Sequence, residues 1–302
     1  MQGWESTGTK AACGAILASL ALAAPAQDIG KPDMGKLTAT GGVSELEGAG
    51  GGGLTPWALI TGYGTRDSYG ANAHLTLVRT QDYALQSAGV AVGLFDRVEF
   101  SLATQQFTGS LAPLDALDVR QDIAGVKLRV AGEAVYDQDS ALPQLALGLQ
   151  FKRNKGVRGL GALGVTNVKQ LGAAKDSGVD VYLAATKLCL AHSLLLNGTL
   201  RMTKANQMGL LGFGGDLHDR YQPMFEGSAA YLLNRKTVIG VEYRMKPHNL
   251  AADSEKAASD LFIAYFPTKL FSLTAAYADL GQITLYNART QRGLYLSLQA
   301  GF

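Results

Sequence analysis

Four histidines, a single cysteine beyond the leading apolar run, and charged residues set between apolar neighbours are the side chains through which this chain could do chemistry. His74, His192, His218 and His248 share no metal-ligand spacing with one another, or with an Asp or Glu on one face. His192 adjoins Ser193, but neighbours along a strand point to opposite faces, so the two are not a nucleophile and its base. No His-x-Ser arrangement lies on an apolar strand edge, and His218, within Asp216-Leu-His-Asp-Arg220, reads as a solvated loop residue. Cys13 lies inside the leading apolar run, which leaves Cys189 alone, without a disulfide partner or a Cys-based metal site. The glycine-rich stretch from Glu45 to Gly53 has the backbone freedom of a phosphate-cradling loop. It lacks the Gly-Lys-Ser/Thr ending, however, and no helical pattern follows it. The expectation is a chain with no catalytic, cofactor-binding or metal-binding residues, and not an enzyme.

The charged residues say more through their spacing. Lys127, Arg129, Lys152, Arg201 and Arg244, with Glu99, Glu226 and Glu242, stand at alternate positions opposite apolar residues. A β-strand sends alternate side chains to opposite faces, so each belongs to a strand with one oily and one polar face. The alternation is cleanest at the C-terminus. Leu294, Leu296, Leu298, Ala300 and Phe302 form one set, and Gly293, Tyr295, Ser297, Gln299 and Gly301 the other. In a transmembrane β-barrel the oily set meets lipid and the polar set meets a lumen. Lumen charges can set ion selectivity at close range. They can equally pair with one another and fill the barrel. With basic residues in excess, the expected lumen is mildly basic, with a mild anion preference.

Composition agrees with strands rather than helices. Charged residues are only 17%, hydrophobic residues reach 47%, mean hydropathy is +0.06, and there are 37 glycines. After the leading segment no run reaches the ~18–20 apolar residues of a membrane helix. A net charge of +2 and no cluster of Lys and Arg argue against nucleic acid as a partner. Lys10, the apolar run Ala11 to Ala24, and Ala24-Pro25-Ala26 read as a signal peptide over residues 1–26. Residues 27–35 then form a periplasmic lead-in, and 36–302 the barrel.

Loop lengths give a second line of argument. Short turns are expected at Phe95-Asp-Arg97, Cys189-Leu-Ala-His192, Asn234-Arg-Lys236 and Pro267-Thr-Lys269. Counting back from Phe302, all of them fall on the periplasmic side. The long segments 108–120, 154–178, 204–222, 246–258 and 280–291 all fall outside, as bacterial barrels require. The connection 132–142 is a longer periplasmic exception. The fold expected is all-β, a transmembrane antiparallel β-barrel of about 14 strands, counting 36–46 and 56–66 as strands. The alternative has 12 strands with the glycine-rich N-terminal segment in or under the lumen. Tyr63, Tyr231, Tyr243, Tyr265, Tyr277 and Phe302 lie near strand ends and suit aromatic girdles.

From Gly35 to Thr65 the chain carries Thr-Gly-Gly-Val-Ser, Glu-Gly-Ala-Gly-Gly-Gly-Gly-Leu and Pro-Trp-Ala-Leu-Ile-x-Gly-Tyr-Gly-Thr. This stretch resembles the N-terminal hallmark of domain of unknown function 3034, an uncharacterised proteobacterial outer-membrane family. The resemblance implies an outer-membrane barrel and assigns no catalytic or ligand residue. The last strand resembles the sorting strand of bacterial outer-membrane barrels, which implies the barrel-assembly machinery as a partner and the Gram-negative outer membrane as location and lipid environment. The function expected is a porin-like passive pore or channel for small solutes. A closed structural or partner-binding barrel is the second reading, and a lipid-modifying barrel enzyme the third.

Overall fold

The computed structural model describes residues 33–41, 43–110, 112, 114–161, 164–283 and 289–302. The expected signal peptide and most of the lead-in lie outside the described residues. The described residues contain twelve strands: β1 Tyr69–Thr80, β2 Tyr83–Leu94, β3 Val98–Gly109, β4 Asp118–Ala131, β5 Gln144–Arg158, β6 Ser177–Cys189, β7 Leu194–Thr203, β8 Gln222–Asn234, β9 Thr237–Arg244, β10 Ala258–Tyr265, β11 Phe271–Asp279 and β12 Arg292–Gly301. Each pairs antiparallel with its neighbours in sequence, and β1 closes the ring on β12 with Leu75 opposite Leu298. Closure pairs every wall strand on both sides and leaves no open edge.

Alternation decides which face is which. Leu75, Phe100, Leu102, Leu261, Leu294 and Leu298 stand outward and are 52–63% exposed, the apolar outer face that a transmembrane barrel presents to lipid. The intervening residues, such as Thr76, Ser101, Gln105, Thr186, Ser297 and Gln299, point inward and are buried. Phe302 and the girdle tyrosines Tyr231, Tyr243, Tyr265 and Tyr277 are outward-facing and exposed. Tyr63 is fully buried inside the molecule and is no girdle residue.

The short connections after β2, β6, β8 and β10, and the longer 132–143, gather at the end that also holds Phe302. The long connections gather at the other end, as the loop lengths predict, together with one short turn, Gln81-Asp82 between β1 and β2. These outer loops fold over their mouth. The backbone of Phe213 bridges to Lys175 and to Ala205, and Leu210, Leu211 and Phe213 are buried. Gln207 and Met208 are held at positive φ (45° and 60°). Gln207 N–H donates to Glu255 Oε1 at 2.7 Å, and its side-chain amide donates to Asp253 Oδ1 at 3.0 Å.

The count of about fourteen strands is not observed, and the twelve-strand alternative is. Residues 44–64 are buried on every side and make no ladder with the wall. Their regular pairing is limited to the isolated bridges Ser44–Gly50 and Gly51–Pro56. The period-2 pattern in 36–46 and 56–66 is real but does not specify a barrel strand. Its alternate positions are small or glycine, Pro56 has no N–H to give to a ladder, and Ala39 and Gly62 take positive φ (71° and 79°). A twelve-stranded ring is also too wide for its wall side chains to fill. The N-terminal segment occupies that space.

Candidate functional site

The lumen is therefore a contact between two parts of one chain, a plug (33–68) and the wall. The plug's backbone reaches wall side chains directly. Gly53 N–H and Leu54 N–H donate to Glu242 Oε2 at 2.6 and 2.8 Å, and the Thr55 hydroxyl donates to Glu242 Oε1 at 2.7 Å. Gly50 N–H and Thr61 N–H donate to the two oxygens of Glu99 at 2.9 and 2.8 Å. Lys127 Nζ returns the contact, donating to the carbonyls of Gly50 and Trp57 at 2.8 and 3.1 Å while pairing with Glu99 at 2.9 Å. Neutral wall groups do the same work. Ser44 N–H donates to Gln299 Oε1, Ala58 N–H to Thr186 Oγ1, and Trp57 Nε1–H to Ser228 Oγ. An irregular backbone at membrane depth is tolerated only where protein satisfies its polar groups, and here the wall does so.

The glycine run is what permits this approach. A Cβ on Gly52 would stand 2.0 Å from Glu242 Oε1, and Gly48 sits at φ 97° at the turn of the plug tip. Only glycine fits both conditions. Larger side chains fill the rest. Trp57, Leu188, Leu195, Val238 and Phe262 line a small, mostly apolar gap of about 30 Å³.

At the plug tip the contact becomes ionic. Glu47 meets Lys152, Arg244 at 2.7 Å and Arg201 at 3.8 Å. Glu226 pairs with Arg201, and stands 3.4 Å from Arg244. Asp180 takes Lys152 at 2.7 Å and Arg201 at 3.4 Å. Glu45 accepts from Gln150 at 2.7 Å and lies 3.7 Å from Arg244. All of these side chains are at most 3% exposed. Lys152 also reaches Met208 O of the outer loops at 3.5 Å. Plug, wall and outer loops meet at that ammonium.

Of the lumen residues expected from sequence, Lys127, Lys152, Arg201, Arg244, Glu99, Glu226 and Glu242 all point inward and are brought together. Arg129 stands apart at the inner mouth, bound to Asp96 and to Glu133 at 2.7 Å. The expected basic excess is absent. Among the described residues, against Lys127, Lys152, Arg201 and Arg244 of the wall and Lys36 of the plug stand Glu45 and Glu47 of the plug and Glu99, Asp180, Glu226, Glu242 and Asp260 of the wall. Asp180 was legible, since it sits at an inward position between Val179 and Val181, and Asp260 less so, with Ser259 on one side and Leu261 on the other. Glu45 and Glu47 carry no such signal, because the plug has no single period. His74 points into the lumen and has Nε2 3.2 Å from Ser87 Oγ. The Ser87 hydroxyl donates to Leu46 O at 2.6 Å. Its proton is therefore committed to the plug and not to the imidazole, an arrangement for holding the plug and not for making a nucleophile. Among the described residues no cluster of His, Cys, Asp and Glu is arranged to hold a metal.

The family model described as "Protein of unknown function (DUF3034)" matches residues 40–299, the plug from Thr40 onward and the wall as far as Gln299 in β12. This chain belongs to the DUF3034 family. The matched range takes in the plug tip as well as the barrel wall around it. No curated protein matches the chain. Among solved structures it is similar to a KdgM porin at 9% identity, over 76% of this chain and 99% of that one, with a TM-score of 0.46. A NanC porin is similar at 9% identity, over 76% and 98%, with a TM-score of 0.47. Outer membrane phospholipase A from Escherichia coli is similar at 10% identity, over 76% and 92%, with a TM-score of 0.39. Likenesses this loose do not bear on chemistry.

Proposed function

We propose that this protein is an outer-membrane β-barrel closed at rest by its own N-terminal plug, with a structural or partner-binding role and no catalytic one. The observation that carries the reading is the reciprocity at the lumen. Plug N–H groups donate to Glu99 and Glu242, and Lys127 and Arg244 donate to plug carbonyls. A pore lined by free charges would leave those groups to water. The apolar outer wall supports a membrane location, and the alternation of β12 supports delivery by the barrel-assembly machinery. Passage of small solutes is the second reading, favoured by the wall charges that would line a channel once the plug left.

Residues 27–302, refolded into a planar bilayer, decide between the two. The closed reading expects a heat-modifiable, β-rich protein that gives no stable conductance. Steady conductance that scales with salt would overturn it in favour of an open pore. Lipid hydrolysis by the refolded protein would overturn the absence of catalysis.

A further inference from the structure

At the inner mouth, outside the lumen, lies a cleft of about 420 Å³ lined by Arg66, Phe95, Asp96, Arg97, Arg129 and Val130. Its acidic groups are already engaged. Asp96 is held by Lys36 at 2.7 Å and by Arg129, and Arg129 also takes Glu133 at 2.7 Å. Two guanidiniums remain for a ligand. Arg97 sits exposed in the β2–β3 turn, where Phe95 and Asp96 both have positive φ. Arg66, with a side chain 75% exposed, is only 3.7 Å from the already paired Glu133. Asp67, next along the chain, does not line the cleft. The cleft is therefore cationic, and planar guanidiniums take the oxygens of a phosphate two at a time.

What distinguishes this cleft from an ordinary basic patch is its apolar side. Phe95 is 43% exposed and Val130 45% exposed, and Val130 continues outward along β4 to Leu128 on the lipid-facing wall. A ligand seated here has its anionic end on Arg66 and Arg97 and its apolar end against the wall. We propose that the cleft holds the phosphate of a phospholipid from the periplasm-facing leaflet, its acyl chains lying along Val130 and Leu128. The site rests on the reading of the barrel as an outer-membrane protein, and it ties the plug's base, through Lys36 and Asp96, to the surrounding bilayer.

The test uses residues 27–302 refolded in phosphate-free detergent micelles doped with phosphatidylglycerol, and native mass spectrometry to count retained lipid. Heat-modifiable mobility is measured first. A chain that never forms the barrel defeats the membrane reading, whereas a folded chain that retains no lipid defeats only this inference. The expected result is one retained phosphatidylglycerol on the unaltered protein, and at least about tenfold weaker retention in R66Q/R97Q, which removes both guanidiniums. R235Q, in the exposed β8–β9 turn at the same end, should retain lipid like the unaltered protein. Equal retention by R66Q/R97Q would overturn the site. Complete displacement by an equal concentration of inorganic phosphate would overturn the lipid as its source and leave a site for a free anion.

Discussion

The ammonium of Lys127 touches two plug carbonyls and one wall carboxylate, and at 1% exposure it has no water to fall back on. Breaking such a pair from one side strands the other charge, a cost of about 3–5 kcal/mol. Lys127→Met should lower the unfolding free energy by that order in urea titrations of the vesicle-embedded protein. Adding Glu99→Gln should recover part of the loss, because a neutral amide is cheaper to bury. A null effect of Lys127→Met would mean that the plug does not rest on this pair. Gly52→Ala tests the same contact sterically. Its Cβ would stand 2.0 Å from Glu242 Oε1, so the plug or Glu242 must shift. Loss of at least about 1 kcal/mol is expected, as for other overpacked sites, and an unaltered urea midpoint would show that the plug tip is loosely seated. Lys127 was legible in the sequence through strict alternation in β4. The partners that define its role were not, because Gly50 and Trp57 offer backbone carbonyls, which leave no trace in residue type.

The inner-mouth loop 132–143 shows how an element is fastened by its first residues. Ala134 and Val135 are buried beneath it, and Glu133 is clamped by Arg129. Burial alone raises the Glu133 carboxyl. The Arg129 charge and hydrogen bond, with the N–H groups of Val135 and Tyr136, outweigh burial and hold it below its usual range. A carboxyl lowered by folding contributes stability that is complete above its unfolded value and disappears as pH falls through its folded one. Amide-exchange protection factors across 133–138 should therefore fall on acidification below the usual carboxylate range. Arg129→Gln should lower them already at neutral pH and flatten the acid dependence. Protection that does not change with pH in the unaltered protein would mean that the apolar contacts of Ala134 and Val135 hold the loop alone. At this scale the sequence told most about the twelve wall strands, each with one apolar face. It misled at 36–46 and 56–66, where a short period-2 pattern over small residues and a proline serves a folded-in plug as readily as a strand.

For the whole molecule, the separation of most short and long loops and the apolar outer face follow from local pattern, so the barrel was legible in the sequence. The closed lumen was not, since closure depends on where an irregular segment lies and not on its composition. The plug can be tested as a unit because its two ends meet. Gly62 N–H donates to Gly41 O at 2.7 Å, so deleting residues 42–61 and joining Gly41 to Gly62 leaves a splice the backbone can close. The wall would then present Lys127, Lys152, Arg201 and Arg244 against Glu99, Asp180, Glu226, Glu242 and Asp260. The balance leans to carboxylates, and field lines in a low-dielectric tube strengthen that lean. The deletion variant should conduct in planar bilayers where the unaltered chain is silent, with a reversal potential of weak cation preference. Conduction should come in bursts, because Leu210, Leu211 and Phe213 still stand in the outer mouth. A deletion variant that is folded yet silent would assign closure to the outer loops instead of the plug. An anion preference would mean that the wall carboxylates are neutral once the plug is gone.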